Sequence, residues 1–192
     1  MIDFQKRVTE THSLIASLSN LEISFHSAAD CCLTALKQGG KLLICGNGGS
    51  AAEAQHLAGE LLGHYKSDRT PLPAIALTAD SAVLTCIAND YRFQDVFARQ
   101  IQALGRPGDV LVAFSTSGNS PNVVQALLLA RAVNMASVAF LGGADGGPAG
   151  KLADHSLIVP HPDTARIQEC HQFLMHCLMD SIDAGISLSE TQ

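Results

Sequence analysis

No stretch of this chain reaches the roughly 18 to 20 apolar residues that cross a bilayer, so no membrane partner is expected. Basic runs are missing as well. Twelve Lys and Arg stand against eighteen Asp and Glu, a net charge of −6, which argues against a non-specific nucleic-acid surface. Cysteine is present at 31, 32, 45, 86, 170 and 177, yet no pair forms C-x-x-C. That spacing excludes a cysteine zinc site or a thioredoxin-like motif and leaves buried, reduced thiols as the expectation. The start, Met1-Ile2-Asp3-Phe4-Gln5, lacks the basic residues and apolar run of a signal peptide, so a cytoplasmic protein is expected. There is neither a Walker loop nor a G-x-G-x-x-G dinucleotide fingerprint.

What is present is a globular composition, 47% apolar and 16% charged over 192 residues, enough for a sizeable core. The first forty residues read as helical, Phe4 to Leu18 and Leu21 to Gln38, ended by Gly39-Gly40. Five short apolar runs follow: Lys41 to Cys45, Pro73 to Thr78, Asp109 to Phe114, Ala136 to Leu141 and His155 to Val159. Helical stretches lie between them, at Ala51 to His64, Ser81 to Ala88, Phe93 to Leu104 and Asn122 to Val133, and a long helix, Thr164 to Ile186, closes the chain. The residues from Gly142 to Pro148 read as a loop. Near-continuous apolar strands alternating with helices predict an α/β fold with a parallel sheet covered on both faces. We read one domain over 1–192, with an N-terminal helical hairpin at 1–40 and an α/β core at 41–192. The second helix is apolar over much of its circumference and needs a partner surface, either the sheet or another subunit.

Two turns carry most of the functional signal. Phe114-Ser115-Thr116-Ser117-Gly118-Asn119-Ser120-Pro121 stands where the third strand hands over to a helix. Ser120 fits the N-cap and Pro121 the first helical position. Hydroxyls at a helix start, where free N–H groups and the dipole favour negative charge, make an anion cradle without a lysine. Gly46-Asn47-Gly48-Gly49-Ser50 has the same design after the first strand, with glycines that let backbone approach a ligand. Both turns belong to the carboxyl edge of one parallel sheet, where open α/β proteins bind ligands.

Ionisable residues cluster on two helices. His56 and Glu60, four residues apart, share a helix face and suit either a divalent metal or an acid/base pair. His64 continues that face and reads as structural. The last helix carries Arg166, Gln168, Glu169, His171 and His176 among seven apolar neighbours. On that background His171 and His176 each have the ordinary reading of a satisfied core histidine.

Taken in order, Cys45-Gly46-Asn47-Gly48-Gly49-Ser50, His56-x-x-x-Glu60, Ala88-Asn89-Asp90, the loop Ser115 to Ser120, and Arg166-Ile167-Gln168-Glu169-x-His171-x-x-x-x-His176 form a pattern over nearly the whole chain. It resembles the bacterial phosphoheptose isomerases, single-domain members of the sugar isomerase (SIS) family. The resemblance implies a flavodoxin-like three-layer sandwich with a five-stranded parallel sheet, and a homotetramer with active sites at subunit interfaces. It implies conversion of sedoheptulose 7-phosphate, a phosphorylated seven-carbon sugar, to D-glycero-D-manno-heptose 7-phosphate through an enediol(ate), for lipopolysaccharide or another surface glycan. Ser115, Thr116, Ser117 and Ser120 would hold the phosphate. Asn47, Gly48, Gly49, Ser50, Asn89, Asp90 and Gln168 would line the rest of the substrate. His56, Glu60, Gln168 and His176 would gather around one zinc per subunit, with Glu60 and His176 as the acid/base residues. At Ala165 some relatives have an aspartate, so a sugar contact from that position is not expected here. Some chains of this fold instead bind the bacterial replication initiator; they lack the glutamate and alter the serine loop, both of which are intact here. Phosphosugar-sensing regulators usually add a DNA-binding domain, for which this chain has no room.

Overall fold

The five apolar runs become five strands of one sheet. β1 (Leu42–Gly46), β2 (Ala74–Ala76), β3 (Val110–Ser115), β4 (Ala136–Gly142) and β5 (His155–Val159) pair in the order β2-β1-β3-β4-β5, all parallel. This computed structural model describes residues 2–190, with side chains through Ser187. Successive strand side chains point to opposite faces, and the helices divide accordingly. Leu42, Ile44, Val112, Phe114, Val138 and Phe140 face α2 (Glu22–Lys37), α3 (Gly49–Leu62) and α8 (Thr164–Glu190). Leu43, Cys45, Leu111, Ala113, Ala139 and Leu141 face α4 (Ser81–Asp90), α5 (Ala98–Leu104), α6 (Pro121–Ala132) and α7 (Gly147–Leu152). The result is the three-layer, flavodoxin-like arrangement expected of the sequence.

The N-terminal pair divides its roles. α2 buries Ala28, Ala29, Cys32, Ala35 and Leu36, so the sheet and α8 are its partner surface within the chain. α1 (Phe4–Ser17) buries none of its residues, and leaves Phe4 and Val8 exposed. Among the described residues no helix is long and apolar enough to cross a membrane. Burial pushes the Cys32 thiol up and the Cys45 thiol up to about 12, whereas Cys86 is exposed.

The structure departs from the sequence reading in three places. β2 is only three residues long: it is an edge strand, and Pro73, which has no N–H to donate, contributes its carbonyl to Leu42 at 3.0 Å instead. The stretch from Phe93 to Leu104 is not one helix but a 3-10 turn, Phe93–Asp95, followed by α5. The glycine-rich segment after β4 is not loop throughout, because α7 begins inside it. α7 has six residues and one buried side chain, too few to show a helical period.

Candidate active site

The order β2-β1-β3-β4-β5 puts the switch point between β1 and β3, where successive connections leave toward opposite faces. Both glycine- and serine-rich turns stand there, because Gly46 at the end of β1 pairs with Phe114 near the end of β3. α3 leaves the first turn onto one face and α6 leaves the second onto the other.

The β1 turn requires glycine at Gly48, where φ is +57°. Gly118 in the β3 turn has φ of +63°, and a Cβ there would lie 1.8 Å from the Gly146 carbonyl oxygen, so only glycine admits the α7 segment so closely. The two turns are joined by a reciprocal amide pair. Asn47 Nδ2 donates to Asn122 Oδ1 at 2.8 Å, and Asn122 Nδ2 donates to Asn47 Oδ1 at 2.7 Å.

The serines of the β3 turn are poised as donors. Ser115 Oγ accepts from the Gly118 N–H at 3.1 Å, and Ser117 Oγ accepts from the Asn119 N–H at 3.1 Å. A hydroxyl that accepts from backbone has its own proton left to give. Ser120 occupies the N-cap of α6 and Pro121 the first turn, but the Ser120 side chain makes no capping bond. Its hydroxyl is instead 3.4 Å from Ser115 Oγ. Together with the positive end of α6, this is a neutral cradle for an anion.

A second set lies where α3 packs beside α8. His56 Nε2 is 2.9 Å from Glu60 Oε1. One ligand atom each from His56, Glu60 and His176 lie within 4.8 Å of one another. Gln172 Nε2 is 3.0 Å from both His56 Nδ1 and His176 Nε2. Its two amide protons meet a lone pair from each ring, which leaves His56 Nε2 as the donor to Glu60. The rings of His56 and His176 meet edge to face at 5.3 Å, and Tyr65 stacks on His176 at 5.7 Å. The Gln168 carboxamide is placed elsewhere. It lies against the start of α3, so close that a Cβ on Gly49 would be 2.4 Å from its Nε2. Asn89 and Asp90 sit exposed at the end of α4, hydrogen-bonded to each other at 2.8 Å. Thr116 is half-buried, Ser50 is buried at the first turn of α3, and the Thr116 carbonyl packs against Gly142. Beside Ala165, the Asp163 carboxyl is held below its usual range, first by the Ala165 N–H and then by Arg7 and Arg166.

Sequence reasoning did not select Gln172, Tyr65 or Glu53. Gln172 was reachable, because it is four residues before His176 and so on its face. Glu53 was not: a helical glutamate reads as solvated, yet it is buried with Oε2 3.8 Å from Nδ1 of the fully buried His171. His171 Nε2 is held by the Leu141 carbonyl at 3.0 Å.

The chain is an α/β protein with a neutral serine-rich turn at the switch point of a flavodoxin-like sheet and an imidazole and carboxylate cluster where α3 packs beside α8. The model of the SIS domain family matches residues 4–142. A phosphoheptose isomerase of Campylobacter jejuni is 49% identical, over 96% of this chain and 100% of that protein. Solved structures of phosphoheptose isomerases from Neisseria gonorrhoeae and Francisella tularensis are 45% and 38% identical, with TM-scores of 0.87 and 0.90. They cover 94% and 96% of this chain, and it covers 98% and 100% of theirs. The chain belongs to the phosphoheptose isomerases of the SIS family.

The cradle has a direct test. Ser120→Ala removes one donor to a bound anion, so inorganic phosphate should bind about 2- to 30-fold more weakly, the equivalent of roughly 0.5 to 2 kcal/mol for one hydrogen bond. Isothermal titration checks this, and an unchanged affinity would remove Ser120 from the cradle.

Proposed function

We propose that this chain isomerises sedoheptulose 7-phosphate to D-glycero-D-manno-heptose 7-phosphate, supplying heptose for a bacterial surface glycan such as lipopolysaccharide, in the cytoplasm. The observation that carries the reading is the meeting of Glu60, His56 and His176 where α3 packs beside α8, in a chain about half identical to phosphoheptose isomerases over nearly its full length.

Aldose–ketose isomerisation moves a proton between C1 and C2 and needs one base that reaches both carbons. The cradle holds the phosphate through the Ser115, Ser117 and Ser120 hydroxyls, Thr116 and the start of α6. Its binding energy goes to placing C1 and C2 of the open-chain sugar against α3 and α8. The Glu60 carboxylate takes the C1 proton, the electron pair moves into the C1–C2 bond, and the carbonyl oxygen at C2 takes up a proton from His176. Collapse of the enediol, with loss of the O1 proton and return of a proton to C2, gives the aldose. His56 donates through Nε2 to Glu60 Oε1 at 2.9 Å and holds that carboxylate in place. Stacking on Tyr65 and the bond to Gln172 orient the His176 ring.

The donor set fits a zinc ion. Two imidazoles and a carboxylate are the ligand types zinc prefers, and no lysine or arginine is among them. Both rings aim a lone pair at one point, filled here by the positive end of the Gln172 amide. His56, Glu60 and His176 would hold the ion, with an α8 glutamine as the fourth ligand. The resemblance implies Gln168, while Gln172 is the glutamine between the rings. When bound, zinc acts as a Lewis acid toward the sugar oxygens.

The exposed apolar residues Phe4, Val8 and Ile23 of the N-terminal helices are unusual for a monomer surface. They support a homotetramer with interfacial active sites. Light scattering at assay concentration should give four chains, and a fully active monomer would overturn this.

Glu60→Gln keeps the shape of the base and loses its basicity, so kcat should fall at least about a hundredfold while substrate still binds. NMR of the sedoheptulose 7-phosphate reaction measures it. A kcat within threefold of wild type would take Glu60 out of the chemistry.

Chelation should lower activity and zinc should restore it, and His56→Ala or His176→Ala should lose bound zinc by elemental analysis. Fully active protein with well under one metal per site would exclude the metal while leaving the isomerase reading intact.

A further inference from the structure

The loop between α3 and β2 lies along α8 in a regular way. Tyr65 stacks on His176, Lys66 pairs with Asp180, and Arg69 pairs with Asp183. The partners on α8 are four and then three residues apart, so they form one stripe leading away from the catalytic cluster. The first contact is half-buried and the second is open to water. The third is not: the side chains of Arg69 and Asp183 are 4% and 11% exposed.

Arg69 makes four hydrogen bonds from this buried position. Nε donates to Asp183 Oδ1 at 2.7 Å, Nη2 to the Glu60 carbonyl at 2.8 Å, and Nη1 to the carbonyls of Leu61 at 2.9 Å and Thr70 at 3.3 Å. The last carbonyls of a helix have no partner within it. Here the Gly63 N–H takes Gly59 at 2.8 Å, the guanidinium takes Glu60, and the Leu61 carbonyl is shared between the guanidinium and the Leu72 N–H, each at 2.9 Å. A cation also suits the negative end of α3. One side chain thus holds the backbone of the proposed base and, through Asp183, the helix that carries His176 seven residues earlier.

We infer that Arg69 is a positioning residue for the isomerisation. By bridging the Glu60 and Leu61 carbonyls to Asp183 it sets the end of α3 against α8, and so the approach of the Glu60 carboxylate to His176. The inference rests on the assignment of Glu60 and His176 as the working pair. The fork geometry is essential to it, because a single ammonium cannot span four acceptors on three segments.

The test compares Arg69→Lys and Asp183→Asn with Asp109→Asn. Asp109, itself buried, forms an ion pair with Lys41 at 2.6 Å between the starts of β1 and β3, and its hydrogen bonds go to Lys41 and Arg106 rather than to α3 or α8. It controls for loss of stability alone. Assays are run on the intact protein well below each variant's melting temperature, with circular dichroism confirming the fold. Arg69→Lys and Asp183→Asn should each lower kcat at least about tenfold, as expected when reacting groups are misplaced by a fraction of an ångström. KM should change less than threefold, because the hydrogen bonds of Arg69 reach Asp183, Glu60, Leu61 and Thr70 and none of the cradle residues. The double variant should lose little more than either single one, since the pair acts as a unit. Asp109→Asn should lower the melting temperature and keep kcat within twofold. Should Arg69→Lys fail to fold, Asp183→Asn carries the test. The inference is overturned if the Arg69 and Asp183 variants keep kcat within twofold, or if Asp109→Asn loses as much kcat as they do. Glu60→Gln run in parallel separates the two ideas. An inactive Glu60→Gln beside a fully active Asp183→Asn rejects the clamp alone, whereas an active Glu60→Gln rejects the underlying assignment.

Discussion

The side-by-side packing of α3 and α8 is the contact on which the rest of the site depends. His56 and Glu60 come from one helix and Gln172 and His176 from the other, 116 residues apart between His56 and Gln172. Neither helix holds a complete set. What brings them together is apolar. Leu57 and Leu61 on α3, and Leu174, Met175, Leu178 and Met179 on α8, are all buried in the same cluster under β1, β3 and β4. Full burial of such a side chain is worth roughly 1.5 to 3 kcal/mol, and six of them together outweigh the few hydrogen bonds of the cluster at roughly 0.5 to 3 kcal/mol each. His56 and Glu60 each sit immediately before a buried leucine, Leu57 and Leu61, so core packing sets the rotation of the helix and hence the aim of both side chains.

A second constraint comes from the sheet. Parallel strands put every strand-to-helix turn on the same edge, and the reversal of direction between β1 and β3 opens a crevice there. The crevice is closed into one site by specific contacts rather than by general packing. The Asn47 and Asn122 amides tie the two turns together. The Gln168 carboxamide packs α8 against the β1 turn at Gly49, where an added Cβ would lie 2.4 Å from its Nε2 and displace it. The cradle, the β1 turn and the α3–α8 cluster are therefore mechanically linked, which a reaction at one end of an anchored sugar requires.

The local parts of this arrangement were legible in the sequence. Unbroken apolar runs named the strands, and glycines and serines after two of them marked the binding edge, because strand period, turn chemistry and helix starts are short-range properties. Elements with too few residues to show a period were not legible, as with α7 and the Phe93–Asp95 turn. Partnerships across the chain were also hidden. Nothing in the neighbourhood of Arg69 says that its guanidinium will cap α3, and nothing around Glu53 says that it will be buried against His171. Gln172 stood at the right spacing from His176, yet Gln168 has the same helical register four residues earlier, and only the packing distance of α3 distinguishes them.

On the proposed assignment, the charge distribution gives the two ends of the site different work. A protein of net charge −6 would ordinarily repel a phosphate dianion at long range. The cradle answers with neutral groups: hydroxyls already fixed by backbone N–H donors, and the start of α6. Such fixed dipoles need little reorganisation when the anion arrives, and without an ammonium they do not hold the product phosphate with a full opposite charge. Positive charge is instead wanted at the other end, where oxygen becomes anionic during isomerisation. There the His56 and His176 lone pairs converge on one point, and the Glu60 carboxylate lies against the other nitrogen of His56. An electron-rich pocket of that kind stabilises a cation or a proton in transit. The separation of a neutral anchor from a cation-seeking reactive end lets binding and chemistry be set independently in one small α/β domain.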